Sequence, residues 1–594
     1  MNPSEGTSEH TRASRFGYST SASYLLPVRS MLSKLGVRRL LFVVSCVAVL
    51  LSPFAYIGNY AGDSQVHLIY GENAAEGRFF EFNPGEKSPG VTSPGYMLFI
   101  AGLYRAFPAA AVPAIVKGAN LLLWYGLVVL VFLTARRYLR SGVWAMIAAL
   151  AAGLLPGSVY NSTIGMENGI FAFFIFLWFY AASRSGWFTV PANVNKTVRH
   201  ELALGFLLGL ACWLRPEGFI VAAIALIYRG LTSFGSGRAL AGTMLRSAVF
   251  LAPFLMMTGA LAYFHLSQTD HLLPSSGLSR MLMSNVSPDS YQIGPLFVSS
   301  RFAIRLAEYF PLTTLWLLAN WLYVTGRLEL HGSKSGAGFL IVLFWAGFIL
   351  YSSLLGSIHV ARLAIFLMPA LVLVAVMGAQ WLWNTWSQSR GSTYRYGLRI
   401  SMVASAVVLG GVFLAETGLR LELDSDASLW RCIKAPSERQ ATSDALFNLL
   451  GQPQTLPISV AMQEVQLRYW LDDRFEVRSL DGRVDPALLD HATRVSVDHI
   501  GYLKERWVQF LLDTPAYNRD PHLWSLRRLA ELQPGEALDH EGLAFSRLPV
   551  QPPVPEKGGT KGPGGWRWFA NADGPIVLRT FTQVLIRVEP AGPG

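Results

Sequence analysis

Long apolar runs dominate this sequence and restrict what it can fold into. Hydrophobic residues make up 52% of the 594-residue chain and charged residues only 15%, whereas soluble domains carry roughly a quarter charged residues. Eleven runs approach the length of a membrane-spanning helix, near residues 40–58, 112–134, 142–160, 165–183, 201–214, 217–230, 245–266, 306–325, 338–356, 363–384 and 398–418. The sequence therefore predicts a multi-span α-helical membrane protein with about 11 to 13 transmembrane helices.

The basic residues predict how the chain is oriented in the membrane. Short loops rich in Lys and Arg face the cytoplasm, and with the N-terminus inside, the short basic loops all fall on that side. They contain Arg136, Arg137, Arg140, Arg184, Lys196, Arg199, Arg229, Arg238, Arg246, Arg327, Lys334, Arg390 and Arg395. Treating the 14-residue run 95–108 as a full span would break this pattern. We therefore predict a juxtamembrane or re-entrant helix there.

The net charge of +11 comes from the apolar part of the chain. Residues 1–423 hold 30 Lys and Arg against 16 Asp and Glu, and residues 424–594 hold 19 against 22. Orientation in the membrane explains such a surplus without a nucleic-acid partner. We predict a cytoplasmic tail over 1–39, a transmembrane domain over 40–423 with its first outer loop at 59–96, and a periplasmic soluble domain that follows it.

Polar residues of unusual kinds collect on the predicted outer side. Charged groups near the bilayer are costly and usually face a cavity, a partner or a substrate path. Structural ion pairs, such as Arg215 with Glu167 or Glu217, are the alternative explanation for single residues. Taken together, the set favours a reaction site, and its members are Asp63, Tyr70, Asn73, Lys117, Glu167, Arg215, Glu217, His359 and Arg362.

The chemistry of these side chains suits transfer of a group from a lipid phosphate. Arg and Lys bind phosphate oxygens, and the carboxylate of Asp63 can take the proton from an acceptor hydroxyl. A lipid phosphate is already a good leaving group, so no partner acid is required, in contrast to glycoside hydrolysis. The segment 63–77 that carries Asp63 is predicted to form an amphipathic helix lying on the membrane.

The motifs around these residues resemble those of a known superfamily. They read Asp63, Tyr70-Gly71-Glu72-Asn73, Glu76-Gly77, Phe82-Asn83-Pro84-Gly85, Thr92-Ser93-Pro94, Gly165-Met166-Glu167 and Arg215-Pro216-Glu217-Gly218. The membrane half is similar to the GT-C superfamily of polyprenyl-phosphate-sugar-dependent glycosyltransferases, in particular the branch containing mycobacterial terminal arabinofuranosyltransferases. That branch commonly has two adjacent acids where this chain has Gly62-Asp63, so the resemblance assigns the catalytic-base role to Asp63 alone.

The resemblance implies a GT-C-like fold and a transferase that acts at the outer face of a bacterial inner membrane. It implies a polyprenyl-phosphate donor, with arabinofuranose as the first choice of sugar. The implied acceptor is a cell-envelope glycan or an exported protein such as a pilin. Mannose or aminoarabinose donors, with protein or lipid A as acceptor, are the alternatives. No cofactor is expected beyond this lipid-linked substrate, and no metal, because no second carboxylate near Asp63 forms an obvious metal pair.

Two other functional classes compete with this interpretation. A flippase or transporter of lipid-linked sugars usually carries internal repeats and helices interrupted near the midplane, and the sequence contains no recognisable repeat. A non-catalytic assembly protein would use the C-terminal domain as its binding module and would not need Asp63.

The C-terminal part alternates short strands and helices, which predicts a small α/β or α+β domain. Trp507, Trp566 and Trp568 could stack on sugar rings, although aromatic side chains are more often part of a core. The strands are predicted at Pro457–Ala461, Glu476–Leu480, Trp507–Leu512, Leu543–Leu548, Ile576–Phe581 and Val584–Val588, and the helices near 436–450, 485–493 and 523–532.

Overall fold

A computed structural model provides the structure of the chain. It describes residues 43–56, 62–139, 141–188, 198–233, 237–272, 274–276, 310–328, 330, 334–353, 364–388, 435–450, 457–462, 465–480, 484–485, 487–491, 497–513, 526–530, 532–533, 535–548 and 584–591. The chain divides into two compact units, one ending at Leu50 and the other beginning at Leu51. The predicted span 398–418 lies outside the described residues.

The apolar part of the chain is helical. In chain order the helices are α1 (43–51), α2 (Gly62–Ala75), α3 (Pro94–Ala106), α4 (Val112–Tyr138), α5 (Gly142–Leu154), α6 (Pro156–Thr163), α7 (Asn168–Arg184), α8 (Val198–Leu214), α9 (Glu217–Thr232), α10 (Gly237–Thr269), α11 (Phe310–Val324), α12 (Lys334–Ser353) and α13 (Met368–Gln388). Short 3-10 turns lie at Ser52–Tyr56, Ala109–Ala111 and Ala364–Leu367.

Several of these helices are apolar enough to be candidates for spanning a membrane. Among the described residues, Ala109–Tyr138, Ala241–Thr269 and Ile365–Ser387 have the length and composition to cross one. Shorter apolar helices are Val43–Phe54, Gly142–Leu154, Asn168–Arg184, Leu312–Val324 and Lys334–Gly347. A largely helical protein with several apolar helices is thus confirmed, while the number of spans and the side that each loop faces stay predictions.

One predicted span is wrong in detail. The run 142–160 is divided between two helices, because α5 ends at Leu154 and α6 begins at Pro156. Proline has no N–H and its ring clashes with the preceding turn, so it cannot continue a helix but fits the first turn of a new one. The run 95–108 is helix α3, with 13 residues.

Within its described residues, the C-terminal region forms a six-stranded mixed sheet. Its strands are β1 (Ile458–Met462), β2 (Phe475–Ser479), β3 (Phe510–Asp513), β4 (Ala537–His540), β5 (Leu543–Arg547) and β6 (Val584–Pro590), in the spatial order β2-β1-β3-β6-β5-β4. Strand β1 pairs in parallel with β2 and β3, and the remaining pairs are antiparallel. The helices of this region are α14 (Ala435–Leu450), α15 (Ala487–Asp490), α16 (His499–Glu505) and α17 (Arg527–Ala530).

The strands lie close to where the sequence predicts them. The exceptions are β4, which the sequence analysis missed, and Ile576–Phe581, which falls outside the described residues. Strand β4 alternates between exposed and half-buried residues and has no apolar face, so hydrophobic alternation could not reveal it. A sheet in the C-terminal region is confirmed, and its separation as a domain starting at residue 424 stays a prediction.

A buried ion cluster joins α8, α9 and α10 near the start of α8. Glu201 is 1% exposed and accepts two hydrogen bonds from Arg229, at 2.9 and 2.7 Å, and one from Arg246 at 2.7 Å. The indole of Trp187 donates a further bond at 2.7 Å. The sequence analysis places Arg229 and Arg246 in short cytoplasmic loops; in the structure they lie within helices and are buried. Their burial requires a carboxylate partner, which Glu201 provides.

We expect Glu201→Ala to lower the free energy of unfolding by about 3–5 kcal/mol, because two buried guanidinium groups lose their counter-charge. Chemical denaturation of the detergent-solubilised protein measures this change. Arg199→Ala is the control, since Arg199 is exposed on the same helix and its replacement should change stability by no more than about 0.5 kcal/mol. Equal stability of the two variants would contradict a stabilising role for the cluster.

Candidate active site

Helix α2 is held inside the protein. The sequence analysis predicts it as an amphipathic helix lying on the membrane; the helix is present, but its polar Ser64, Gln65, His67 and Asn73 are buried like its apolar residues. At Gly71, a Cβ atom would collide with the side chain of Ile100 on α3. The missing side chain thus lets α2 lie directly against α3.

The predicted catalytic base lies at the start of this helix. Asp63 occupies the first turn of α2 and is partly exposed. A carboxylate is favoured there by the positive end of the helix dipole. His67 follows four residues later, which places both side chains on the same face of the helix. The sequence analysis did not include His67 among the site residues.

His67 connects α2 to a buried ion cluster. Its Nε2 lies 3.1 Å from Oε2 of Glu167, the residue that precedes α7. The other carboxylate oxygen of Glu167 lies 2.5 Å from Nη1 of Arg215. The Nδ1 atom of His67 is buried without a hydrogen-bond partner among the described residues.

Arg215 is the centre of this cluster and lies between the end of α8 and the start of α9. Its Nη2 and Nε donate to the two carboxylate oxygens of Glu217, at 2.6 and 3.1 Å. Its Nη1 donates to Glu167 and also to Oδ1 of Asn168. These bonds occupy most of the five N–H donors that a guanidinium has. The geometry therefore favours a structural ion-pair role for Arg215, and its predicted contact with phosphate stays a prediction.

Helix α4 approaches the same cluster through Asn120. Its amide donates to the carbonyl of Met166, at 3.1 Å, and to the hydroxyl of Tyr96, at 3.4 Å. Tyr96 donates in turn to the carbonyl of Gly165 at 2.8 Å. Lys117 lies one helical turn before Asn120, on the same face of α4, and is only 2% exposed. The face of α4 that meets the turn before α7 through Asn120 therefore also carries a buried lysine.

Tyr70 and Asn73 stabilise the outer loop. The Ser88 hydroxyl donates to the carbonyl of Val484, so Tyr70 is the donor in its 2.6 Å bond to Ser88. Burial raises the pKa of Tyr70 far above its ordinary value, which keeps the phenol protonated. The amide of Asn73 donates to the carbonyl of Glu81 at 2.8 Å. The predicted substrate contacts of Tyr70 and Asn73 stay predictions.

The C-terminal sheet region holds the outer loop in place. The side-chain amide of Asn83 donates to the carbonyl of Val477 in β2 and accepts from its N–H, both at 3.0 Å, as a neighbouring strand would. Glu86 pairs with Arg478. Glu72 on α2 accepts two bonds from Arg439 on α14, at 2.9 and 2.8 Å.

The guanidinium of Arg439 remains charged beside Glu72. Burial alone lowers the pKa of Arg439, but the hydrogen bonds and the charge of Glu72 outweigh burial and raise the pKa. Arg439 also lies over the ring of Tyr469, 4.6 Å from its centroid. Bidentate pairing fixes direction as well as distance, so α14 fixes the orientation of α2.

His359 and Arg362 lie outside the described residues, and their predicted roles are untested. Among the residues that the structure does describe, no group of three or more His, Cys, Asp or Glu side chains is arranged to hold a metal ion. Metal independence stays a prediction.

We expect Asn83→Ala to loosen the outer loop, because the variant loses two hydrogen bonds and leaves the N–H and carbonyl of Val477 unpaired, at a cost of about 1–3 kcal/mol. Hydrogen exchange followed by mass spectrometry should show faster exchange across residues 79–88. Glu76→Ala is the control: Glu76 is exposed and forms an ion pair with nearby Arg78. Unchanged exchange in Asn83→Ala would show that the sheet does not hold the loop.

Comparison with known proteins gives only distant matches. No protein-family model and no curated protein matches the chain. Among solved structures, ArnT from Cupriavidus metallidurans bound to undecaprenyl phosphate matches with a TM-score of 0.46 and 12% identity, over 84% of this chain and 96% of that one. The archaeal oligosaccharyltransferase AglB from Archaeoglobus fulgidus, in complex with an inhibitory peptide and a dolichol-phosphate, matches with a TM-score of 0.49 and 12% identity, over 83% and 72%. Similarity at this level assigns neither a family nor an activity to the chain.

Proposed function

We propose that this chain is a GT-C-type membrane glycosyltransferase that transfers a sugar from a polyprenyl-phosphate donor to an acceptor outside the cytoplasmic membrane. The observation that carries the proposal is the convergence of α2, with Asp63 and His67, on the buried Arg215 cluster at the ends of α7, α8 and α9. Buried charge that joins four helices at one end of a helical bundle is expensive, and it commonly marks a functional site.

Asp63 acts as the general base in this proposal. Its carboxylate takes the proton from an acceptor hydroxyl as that oxygen forms the new bond to the anomeric carbon of the sugar. The bond from that carbon to the lipid phosphate breaks at the same time, and the phosphate leaves with the electron pair. Asp63 is only partly buried, so an acceptor arriving from solvent can reach it.

We assign the donor phosphate to Lys117, a buried lysine on the same face of α4 as Asn120. Arg215 is already neutralised by Glu167 and Glu217, and we assign it the role of positioning the start of α7 relative to α9. Arg362 and His359, which the sequence analysis selected, complete the proposed phosphate site. An ammonium group serves as a point charge for phosphate oxygens without requiring fork-like geometry.

The substrates follow from the sequence resemblance. Arabinofuranose is the proposed sugar and a cell-envelope glycan or an exported protein such as a pilin is the proposed acceptor. Mannose or aminoarabinose transfer to protein or lipid A is the alternative. The proposed location is a bacterial inner membrane, with the outer loop and the C-terminal sheet in the periplasm, and the reaction requires no cofactor.

We expect Asp63→Asn to reduce sugar transfer by about 10²- to 10⁴-fold, the usual contribution of a general base, while the protein stays folded. The assay supplies polyprenyl-phosphate arabinofuranose, mannose and aminoarabinose in turn and measures release of the lipid phosphate.

Asp270→Asn serves as its matched control. Asp270 has a positive φ of 57°, a conformation that Asn adopts as readily as Asp, so the same chemical change is made without strain. Full transfer by a stable Asp63→Asn variant would overturn the mechanism and favour a flippase or an assembly protein.

We expect Lys117→Met to weaken use of the lipid-linked donor by about 10- to 100-fold, the value of one charge-assisted hydrogen bond. The change should appear in the KM for the donor. Lys87→Met is the comparison, because Lys87 is an exposed lysine of the outer loop. An unchanged KM in Lys117→Met would exclude the phosphate contact.

A further inference from the structure

A cleft lies between the outer loop and the C-terminal sheet region. It is lined mainly by polar side chains, among them Asn83, Glu86 and Ser88 from the loop and Asp485 and Arg506 from the sheet region. Its volume is about 250 Å³, which corresponds to roughly eight water molecules at about 30 Å³ each. The cleft therefore has room for one monosaccharide unit. None of its lining residues belongs to the Asp63 site.

Two hydrogen-bonding groups of this cleft lie near each other but do not form a hydrogen bond. Oε1 of Glu86 lies 3.8 Å from Nη1 of Arg506, which is too long for a hydrogen bond. Nε of Arg506 is buried and has no hydrogen-bond partner among the described residues. Asp485 holds the guanidinium from its other side at 2.9 Å. A hydroxyl group both donates and accepts, so a sugar hydroxyl is suited to bridge Oε1 of Glu86 and Nη1 of Arg506.

The residue after Arg506 is an exposed and strained tryptophan. Trp507 is 80% exposed and has a φ of +49°. It follows the end of α16, where the N–H of Val508 bonds to the carbonyl of Leu503. Glycine normally occupies this left-handed position after a helix. A bulky residue held in this left-handed conformation is costly, and such strain is often kept at functional sites.

We propose that the cleft and Trp507 form a binding site for a glycan chain. The Glu86–Arg506 pair hydrogen-bonds the hydroxyls of one sugar ring, and Trp507 provides an aromatic surface for the apolar C–H face of an adjoining ring. Carboxylates and guanidinium groups are mixed in the cleft, so it favours a neutral polyhydroxylated ligand over a strongly charged one. This proposal rests on the proposed function only where it identifies the bound glycan as the acceptor of the transfer reaction. Binding of the glycan to the site does not depend on catalysis.

A Trp507→Gly variant separates the contribution of the indole ring to glycan binding from its effect on protein stability. Trp507→Gly removes the ring and places the residue best suited to the left-handed conformation there. We expect the melting temperature to stay the same or to rise, while affinity for the glycan falls about tenfold or more. Trp507→Phe keeps an aromatic surface and should retain affinity close to that of the unchanged protein.

The measurement is calorimetric titration of the full-length protein in detergent with two probes, an arabinofuranose hexasaccharide and a mannose hexasaccharide. Glu541→Gly is the matched control, because Glu541 also has a positive φ, of 51°, and lies in the tight turn between β4 and β5, away from the cleft lining. The Glu541→Gly substitution relieves backbone strain in the same way, and we expect it to leave the affinity for the glycan unchanged.

Three results would overturn the site. The first is failure of the unchanged protein to bind either hexasaccharide. The second is undiminished hexasaccharide binding by the Trp507→Gly variant. The third is a Trp507→Gly variant that loses affinity for phosphatidylglycerol vesicles and not for the hexasaccharides, which would identify Trp507 as a membrane contact. Asp63→Asn should bind the hexasaccharides as the unchanged protein does. Trp507-dependent binding without turnover of any lipid-linked donor would refute the proposed transferase and leave the glycan site standing.

Discussion

The candidate active site depends on the guanidinium of Arg215. It bonds to Glu217 at the start of α9 and to Glu167 and Asn168 at the start of α7, and Glu167 also bonds to His67 on α2. Removal of the Arg215 guanidinium would leave the buried carboxylates of Glu167 and Glu217 without this counter-charge, which costs several kcal/mol. The helix ends are therefore held together as one unit, and Asp63, one turn before His67, takes its position from that unit.

A second set of contacts determines where α2 and the outer loop lie. Arg439 binds Glu72 from α14, and the amide of Asn83 pairs with Val477 as an additional strand would. The sheet region thus supports the loop that carries the proposed base. A glycan bound in the cleft would contact the loop and the sheet at the same time, and this arrangement would bring an acceptor beside the loop on which Asp63 is carried.

The sequence analysis identified many of the important residues, but not what each of them contacts. It selected Glu167, Arg215 and Glu217 from their motifs, and the structural ion pairs it considered as the alternative are those that form. It placed Asn83 in a Phe-Asn-Pro-Gly motif without a function, because its partner Val477 lies 394 residues away. It treated Arg229 and Arg246 as loop cations because a count of charges contains no information about burial. His67 was passed over since one histidine in a polar loop gives no signal by itself.

The sequence by itself determined the largely helical fold with its apolar helices and the positions of most described helices and strands, and it selected Asp63 as the candidate base. Hydrophobic runs and turn residues act locally, so they can be read from neighbouring positions in the chain. Only the tertiary structure decided that α2 is enclosed by protein, that Arg215 is neutralised, and that the sheet region holds the outer loop. Those features depend on burial and on hydrogen bonds between residues far apart in the chain, such as Glu72 and Arg439, 367 positions apart, and no spacing in the sequence encodes them.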